Sequence, residues 1–238
     1  QALSTMTSPD GNGVLIEGWY ENVAPPNEEE LKMLEELVDS FDFQILKDSF
    51  KVDEFVLDEK DEKFELLKKY YCEPSGLNID GIYGGNTGPG SKTVLPHKIT
   101  AKMDVRFVPD QISQEFLPKV RSHLTKHGYS DIKVKQLTRG EWARTSPKSD
   151  IWLAIKNMYA SFGVKATLEV RNIGYAPFSL FCHDPLNLDG GFGWGMLGHG
   201  GRSHSPDEYF VIEGNDKVYG LAGAEKSFVK TLYNYSRY

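Results

Sequence analysis

Two stretches of this sequence hold residues whose types and spacing could do chemistry. The first is Gly200-Gly201-Arg202-Ser203-His204-Ser205-Pro206-Asp207-Glu208, a histidine in a glycine-rich loop followed by Ser-Pro and two acids. Such a histidine suits metal ligation through one ring nitrogen while a neighbouring group holds the other. The second is the loop Gly84-Gly85-Asn86-Thr87-Gly88-Pro89-Gly90-Ser91-Lys92-Thr93, which leads into a strand carrying Arg106. Glycines before a lysine invite comparison with a phosphate-binding loop. The G-x-x-x-x-G-K-[ST] spacing is not met, however, and the segment opens a strand where a P-loop opens a helix. Nucleotide binding is rejected on both counts.

The strand after that loop is the clearest in the chain. From Lys98 to Val108, Ile99, Ala101, Met103, Val105 and Phe107 alternate with Lys98, Thr100, Lys102, Asp104 and Arg106. One face is predicted to be core and the other polar, with Arg106 on the polar face. Leu77, Ile79 and Ile82 predict a shorter strand before the loop. Pro109-Asp110 ends the long strand, and Phe116, Leu117, Val120 and Leu124 predict an amphipathic helix to about His127, stopped by Gly128. Ile132, Val134 and Leu137 predict a further strand. Strand, strand, helix, strand is the later part of a ferredoxin-like β-α-β-β-α-β unit truncated at its start. Gln1 to Met6 reads as the last turns of a helix.

Residues 10–76 are acidic and irregular in pattern. Asn27 before Glu28, Glu29 and Glu30 predicts a capped helix with an apolar stripe at Leu31, Leu34, Leu37 and Val38. A charged helix is expected from Glu59 to Tyr71. Beyond a linker around residues 138–147, Ser149 or Asp150 caps a helix ending at Gly163, and an amphipathic helix runs from Ala222 to about Tyr235. These elements divide the chain into residues 1–145, with an acidic insertion at about 10–76, and residues 146–238.

Composition closes several function classes. The 34 acidic residues outnumber the 27 basic ones, giving a net charge of −7. A chain that coats nucleic acid carries the opposite bias, because neutralising phosphate dominates that binding. No run approaches the roughly 20 apolar residues of a membrane span, and no charged-then-apolar leader opens the chain. Cys72 and Cys182 lie far apart and in no metal-ligand spacing, which predicts two free thiols in a reducing, cytoplasmic compartment.

Considered together, three segments carry a family resemblance. The stretch GIYGGNTGPGSKTVLPHKITAKMDVRFVPDQ (81–111) is similar to the lid-domain signature of the metallopeptidase family of carnosinases, acetylornithine deacetylase and succinyl-diaminopimelate desuccinylase. RSHSPDE (202–208) is similar to that family's C-terminal zinc-ligand motif, and VRNIGYAPF (170–178) sits where the family has a Gly-Gly-Ser-Ile-Pro loop. The segments occur in family order, and the similarity spans most of residues 77–238.

The resemblance implies a fold and a set of roles. The fold is α/β: a ferredoxin-like lid and dimerisation domain plus the C-terminal α/β piece of a zinc-peptidase catalytic domain. His204 matches the last metal ligand. Arg106 matches the lid arginine that pairs with a substrate carboxylate; without the resemblance it is an ordinary exposed strand arginine. Thr93 and Asn86 in the lid loop, and Gly174 and Tyr175 in the later loop, complete the implied substrate-binding set. Tyr175 stands where the family has serine, and Asp207 where it has asparagine.

The family's other zinc ligands and its general-base glutamate have no counterpart in the chain. One ligand does not hold a catalytic zinc, which takes three protein ligands. The resemblance therefore implies part of a two-zinc hydrolase, cobalt or manganese being alternative metals. Its substrate would be a small peptide or N-acyl amino acid, and its assembly a homodimer through the lid. Alone, the chain is expected to hold no metal and no catalytic residue. The rival reading is a non-catalytic oligomerisation or binding module that retains the lid fold.

Overall fold

The computed structural model describes residues 1–11, 13–55, 62–73, 76–172, 177–190, 196–203 and 206–238, with the backbone alone for Ser49 and Phe50. In chain order the elements are α1 (Ala2–Met6), α2 (Glu28–Val38), α3 (Phe43–Phe50), α4 (Lys63–Cys72), β1 (Gly76–Gly84), β2 (Ile99–Arg106), α5 (Ser113–Lys126), α6 (Asp150–Ser161), α7 (Ser179–Cys182), β3 (Gly200–Gly201), β4 (Tyr209–Phe210) and α8 (Leu221–Tyr235). They form two compact units. One comprises residues 1–31, 56–142 and 171–175; the other comprises 32–55, 143–170 and 176–238.

In the first unit, β1 and β2 form an antiparallel ribbon whose register runs from Gly76 opposite Arg106 to Gly84 opposite Ile99. The register slips between Ile79 and Gly81, so Asp80 is the extra residue of a bulge. Met103 and Val105 turn inward onto a core of Met6, Val14, Ile16, Trp19, Leu77, Phe116 and Leu124. Trp19 is its centre, 1% exposed, with its ring centroid 4.8 Å from that of Phe116. The indole's own backbone is fixed by Gln111, whose Nε2 donates to the Trp19 carbonyl at 3.0 Å. α5 supplies Phe116 and Leu124 as its stripe predicts, and Gly128 ends it at φ +84°.

Two expectations for this unit are corrected. The apolar face of β2 is core only in its second half: Ile99 is 65% exposed, and Ile82 and Tyr83 opposite that end of the ribbon are exposed too. Alternation reports which side a residue takes but not whether anything lies against that side. Residues 132–137 form no strand. Val134 packs on the core and its carbonyl accepts from Arg121, but Ile132 and Leu137 face solvent and, among the described residues, no ladder partner pairs with the segment. An extended apolar segment becomes a strand only when a neighbour offers its backbone groups.

The cap expected at Asn27 is present, and the structure makes it reciprocal with Glu30. Asn27 Oδ1 accepts from the Glu30 amide at 2.9 Å, and Glu30 Oε2 accepts from the Asn27 amide at 2.8 Å. α4 covers the described part of the predicted charged helix, burying Leu66, Leu67 and Tyr71; residues 59–61 lie outside the described residues.

In the second unit α6 packs on α8. α6 contributes Ala154, Ile155 and Met158, while α8 turns Gly223, Ala224, Ser227, Thr231 and Asn234 inward. Small and polar residues on the buried side let the two backbones approach. Asn234 Nδ2 reaches the Ala154 carbonyl at 3.1 Å, and Ser227 Oγ receives the Leu197 amide at 3.3 Å. Ser149 occupies the N-cap position of α6 but makes no capping bond. α3 was not foreseen; Asp42 caps it by accepting from the Gln44 amide at 2.8 Å.

Candidate functional site

Arg106 closes β2, at the end of the ribbon that packs on the core. Its Nε donates to Asp104 Oδ2 at 2.5 Å, from the same polar face two residues back. Asn78 stands opposite Asp104 in the ladder, and the bulge brings Asp80 beside them. Loss of solvent works against the Asp104 charge, but the hydrogen bond and charge of Arg106, with bonds from Asn78 and Asp80, hold its carboxyl below the usual range. Asp80 moves the other way: loss of solvent, then the bond to Asp104 and its charge, push its carboxyl up. Asp104 is therefore the ionised partner that orients the guanidinium, which remains 40% exposed.

Asn86 and Thr93 lie elsewhere. They sit in the exposed loop joining β1 to β2, at the end of the ladder where Gly84 pairs with Ile99. Seven strand steps, about 23 Å, separate that end from Arg106. Their loop thus leaves the ribbon at the end opposite Arg106. Gly174, Tyr175 and His204 lie outside the described residues.

The flanks of His204 are described. β3 and β4 pair Gly200 with Phe210 and Gly201 with Tyr209, so the two ends of the 202–208 stretch leave from one antiparallel pair. A Cβ on Gly200 would meet the Tyr209 carbonyl oxygen at 2.7 Å, which explains the glycine there. Arg202 pairs with Asp207 across the turn. Among the described residues no group of three or more His, Cys, Asp or Glu side chains could hold a metal ion. The described donors alone do not make up a metal site.

One cluster was missed in the sequence. Arg171, 8% exposed, forms a two-pronged ion pair with Glu30, 7% exposed, Nε to Oε1 and Nη2 to Oε2 both at 2.9 Å. Its remaining donors reach the carbonyls of Ala24 at 3.4 Å, Cys72 at 3.3 Å and Pro25 at 3.5 Å. Burial opposes the guanidinium charge, but the bond to Glu30 and its charge outweigh it, and the pKa is pushed up. The Cys72 thiol alongside is pushed up by burial, which leaves it a poor nucleophile. The one visible signal was Asn27-x-x-Glu30; the arginine lies 141 residues further on.

His123 and His127 pack together within the first unit. His123 is buried, its Nε2 3.0 Å from Thr5 Oγ1 and its ring stacked 4.2 Å from that of His127. Burial, then the charges of His127 and Lys126, hold its pKa below the usual value, while the Thr5 bond works the other way. The unfolded chain therefore takes up this proton more readily than the folded one. Stability is full above about pH 6.5 and falls as pH drops from there towards the lowered pKa of His123. Urea midpoints at about pH 7.5 and 5.5 read that fall. His123→Gln should flatten it, and an unchanged slope would assign it to other groups.

Comparison with known proteins places this geometry. Residues 22–132 match the peptidase dimerisation domain, M20_dimer. The Cys-Gly metallodipeptidase of Candida albicans is 30% identical over 203 residues, covering 79% of this chain and 39% of that protein. The human Beta-Ala-His dipeptidase is 31% identical over 142 residues, 58% of this chain and 27% of that protein. Among solved structures, an M20 family metallo-carboxypeptidase from Sulfolobus solfataricus superposes with a TM-score of 0.72 at 26% identity, covering 98% of this chain and 50% of that one. Residues 22–132 are thus similar to a peptidase dimerisation domain, and the chain is similar to metallodipeptidases and to a metallo-carboxypeptidase of the M20 family. It spans about two fifths of the length of the first of these curated relatives.

Proposed function

We propose that this chain is the lid and C-terminal part of a metal-dependent hydrolase. The parent would cleave the amide or peptide bond of a small carboxylate-bearing substrate, as a dipeptidase, carboxypeptidase or amino-acid deacylase. The observation that carries the reading is the dimerisation-domain match over residues 22–132, which contains the oriented Arg106–Asp104 pair. A guanidinium fork held by a neighbouring acid suits a second, mobile carboxylate. Arg106, Asn86, Thr93, Gly174 and Tyr175 are assigned to substrate, and His204 to the metal, with the other ligands supplied by polypeptide outside these 238 residues. Zinc is the expected metal, two ions per site, with cobalt or manganese as alternatives.

Residues 1–145 would form the lid and residues 146–238 the catalytic segment. Exposed Ile79, Ile82, Tyr83 and Ile99 on the β1–β2 ribbon favour a homodimer through the lid. No helix among the described residues is long and apolar enough to cross a membrane. The unpaired Cys72 and Cys182 favour the cytoplasm.

The test uses the full-length gene product with Cys-Gly and β-alanyl-histidine as probe substrates. Hydrolysis is expected, lost on exhaustive chelation and regained with zinc, cobalt or manganese; the 238-residue chain alone should hydrolyse neither. Activity that survives complete metal removal sinks the reading. No hydrolysis with metal supplied hands the lid to the non-catalytic module.

A further inference from the structure

The bulge in β1 breaks a local rule of sheets. In an unbroken ladder Asp80 would stand opposite Lys102, two residues along from the facing pair of Asn78 and Asp104. Opposite charges facing across two strands stabilise a sheet, and like charges brought together weaken it. The slip gives the place opposite Lys102 to Gly81 and leaves Asp80 as the extra residue. Asp80 bonds to Asp104 instead, while the Lys102 ammonium lies 6.0 Å from the Tyr83 ring centroid. The bulge thus sets an acid beside an acid.

Two carboxyls now share one guanidinium, Asp104 through its bond from Arg106 Nε at 2.5 Å and Asp80 through its charge. Loss of solvent, then the bond to Asp104 and its charge, raise the Asp80 pKa against the charges of Arg106 and Lys102. Bulges that re-aim a side chain gather beside functional sites. Here the re-aimed group is an acid, and it is brought towards Arg106. A neutral amide at position 80 would support Asp104 as well. What a carboxylate adds is repulsion of any further negative charge that comes close to the guanidinium.

We propose that Asp80 is a specificity-determining residue: it selects substrates whose carboxylate has no second negative charge beside it. The role rests on the reading above in which Arg106 takes the substrate carboxylate. A lone carboxylate is drawn in by Arg106, whereas a C-terminal aspartate or glutamate brings a second charge towards Asp80. Rejecting a wrong partner with a well-placed like charge is an ordinary route to specificity. Asp80 is exposed, so water and salt screen it, and discrimination of about 3- to 5-fold is the size to expect.

Two measurements test this. Carboxyl titration by NMR on the 238-residue chain follows Asp80 in wild type and in Asp104→Asn. Its pKa should stand above the ordinary aspartate value in wild type and fall in the variant; no change overturns the pair. Steady-state kinetics on the full-length protein then compare dipeptides ending in asparagine and in aspartate, with cysteine or β-alanine in front. The two differ by one charge at nearly equal size. The ratio of kcat/KM, asparagine over aspartate, should fall about 3- to 5-fold in Asp80→Asn, mainly through KM for the aspartate peptide. Asp80→Glu should keep the wild-type ratio, and salt at about 1 M should lower it to that of Asp80→Asn. A ratio indifferent to Asp80→Asn, in a protein that hydrolyses both peptides, overturns the selection and leaves the hydrolase reading standing. A full-length protein that hydrolyses no dipeptide with metal supplied, while Asp80 still responds to Asp104, removes the hydrolase reading and the selection with it.

Discussion

Arg106→Met in the full-length protein is expected to lose about 30- to 150-fold in kcat/KM on substrates with a free carboxylate, nearly all of it in KM. Truncating one partner of a hydrogen-bonded charge pair costs about 2–5 kcal/mol when the site is dry. Arg106 is 40% exposed, so solvent screening argues for the lower end, about 2–3 kcal/mol. Asp104 already holds Nε, so the arm is oriented before substrate arrives and little entropy is lost on binding. Arg106→Lys should recover only part of the loss, since an ammonium keeps the charge but not the planar fork. The control is the same substrate with its carboxylate amidated. Wild type should discriminate strongly against the amide and Arg106→Met hardly at all. Equal losses on both substrates would place Arg106 in the fold and not in recognition.

The parts of the fold that were legible are those whose pattern is local. α2, α5, α6 and α8 follow helical stripes within two residues of their expected ends, and β2 forms within the alternating run that predicts it. The pairing of β3 with β4 was not predicted, although Gly200-Gly201, whose missing side chains admit the opposite strand, was a visible sign of it. What failed needs a neighbour. Among the described residues, 132–137 have strand composition but pair with no strand, and Ile99 has the right parity yet is exposed. α3 has a single readable cap at Asp42 and lies in a stretch whose charge suggested irregular chain.

The site was legible to the same degree. Arg106 sits on the polar face that alternation assigned it, but its partner Asp104 is supported by Asp80 only because a bulge shifts the register there. No spacing rule announces a bulge. Arg171 and Glu30 are further from reach: each is ordinary in its own window, and their meaning comes from contact across the whole chain. Asn86 and Thr93 share a motif with Arg106, yet their loop leaves the ribbon at the end opposite it.

A second large effect is expected at α8, and it separates a part from a whole. Leu221, Phe228, Leu232 and Tyr235 recur at spacings of seven, four and three, which puts them on one side of the helix. That side faces away from α6: Phe228 is 51% exposed and Leu232 70%, while the side against α6 is small and polar. An amphipathic helix with its apolar side outward awaits a second layer. The Sulfolobus carboxypeptidase has as much chain again beyond the matched half, and in the hydrolase reading that remainder covers α8. Glutamate at positions 228 and 232 should then change the thermal midpoint of the 238-residue chain hardly at all, as exposed substitutions do. In the full-length protein the same Phe228→Glu and Leu232→Glu changes bury unpaired charge at about 3 kcal/mol or more, a fall of roughly 6–12 °C for a domain near this size. Equal small shifts in both would leave the face uncovered by the rest of the protein. A dimer of the isolated chain that the glutamates dissolve would assign the face to a second copy instead.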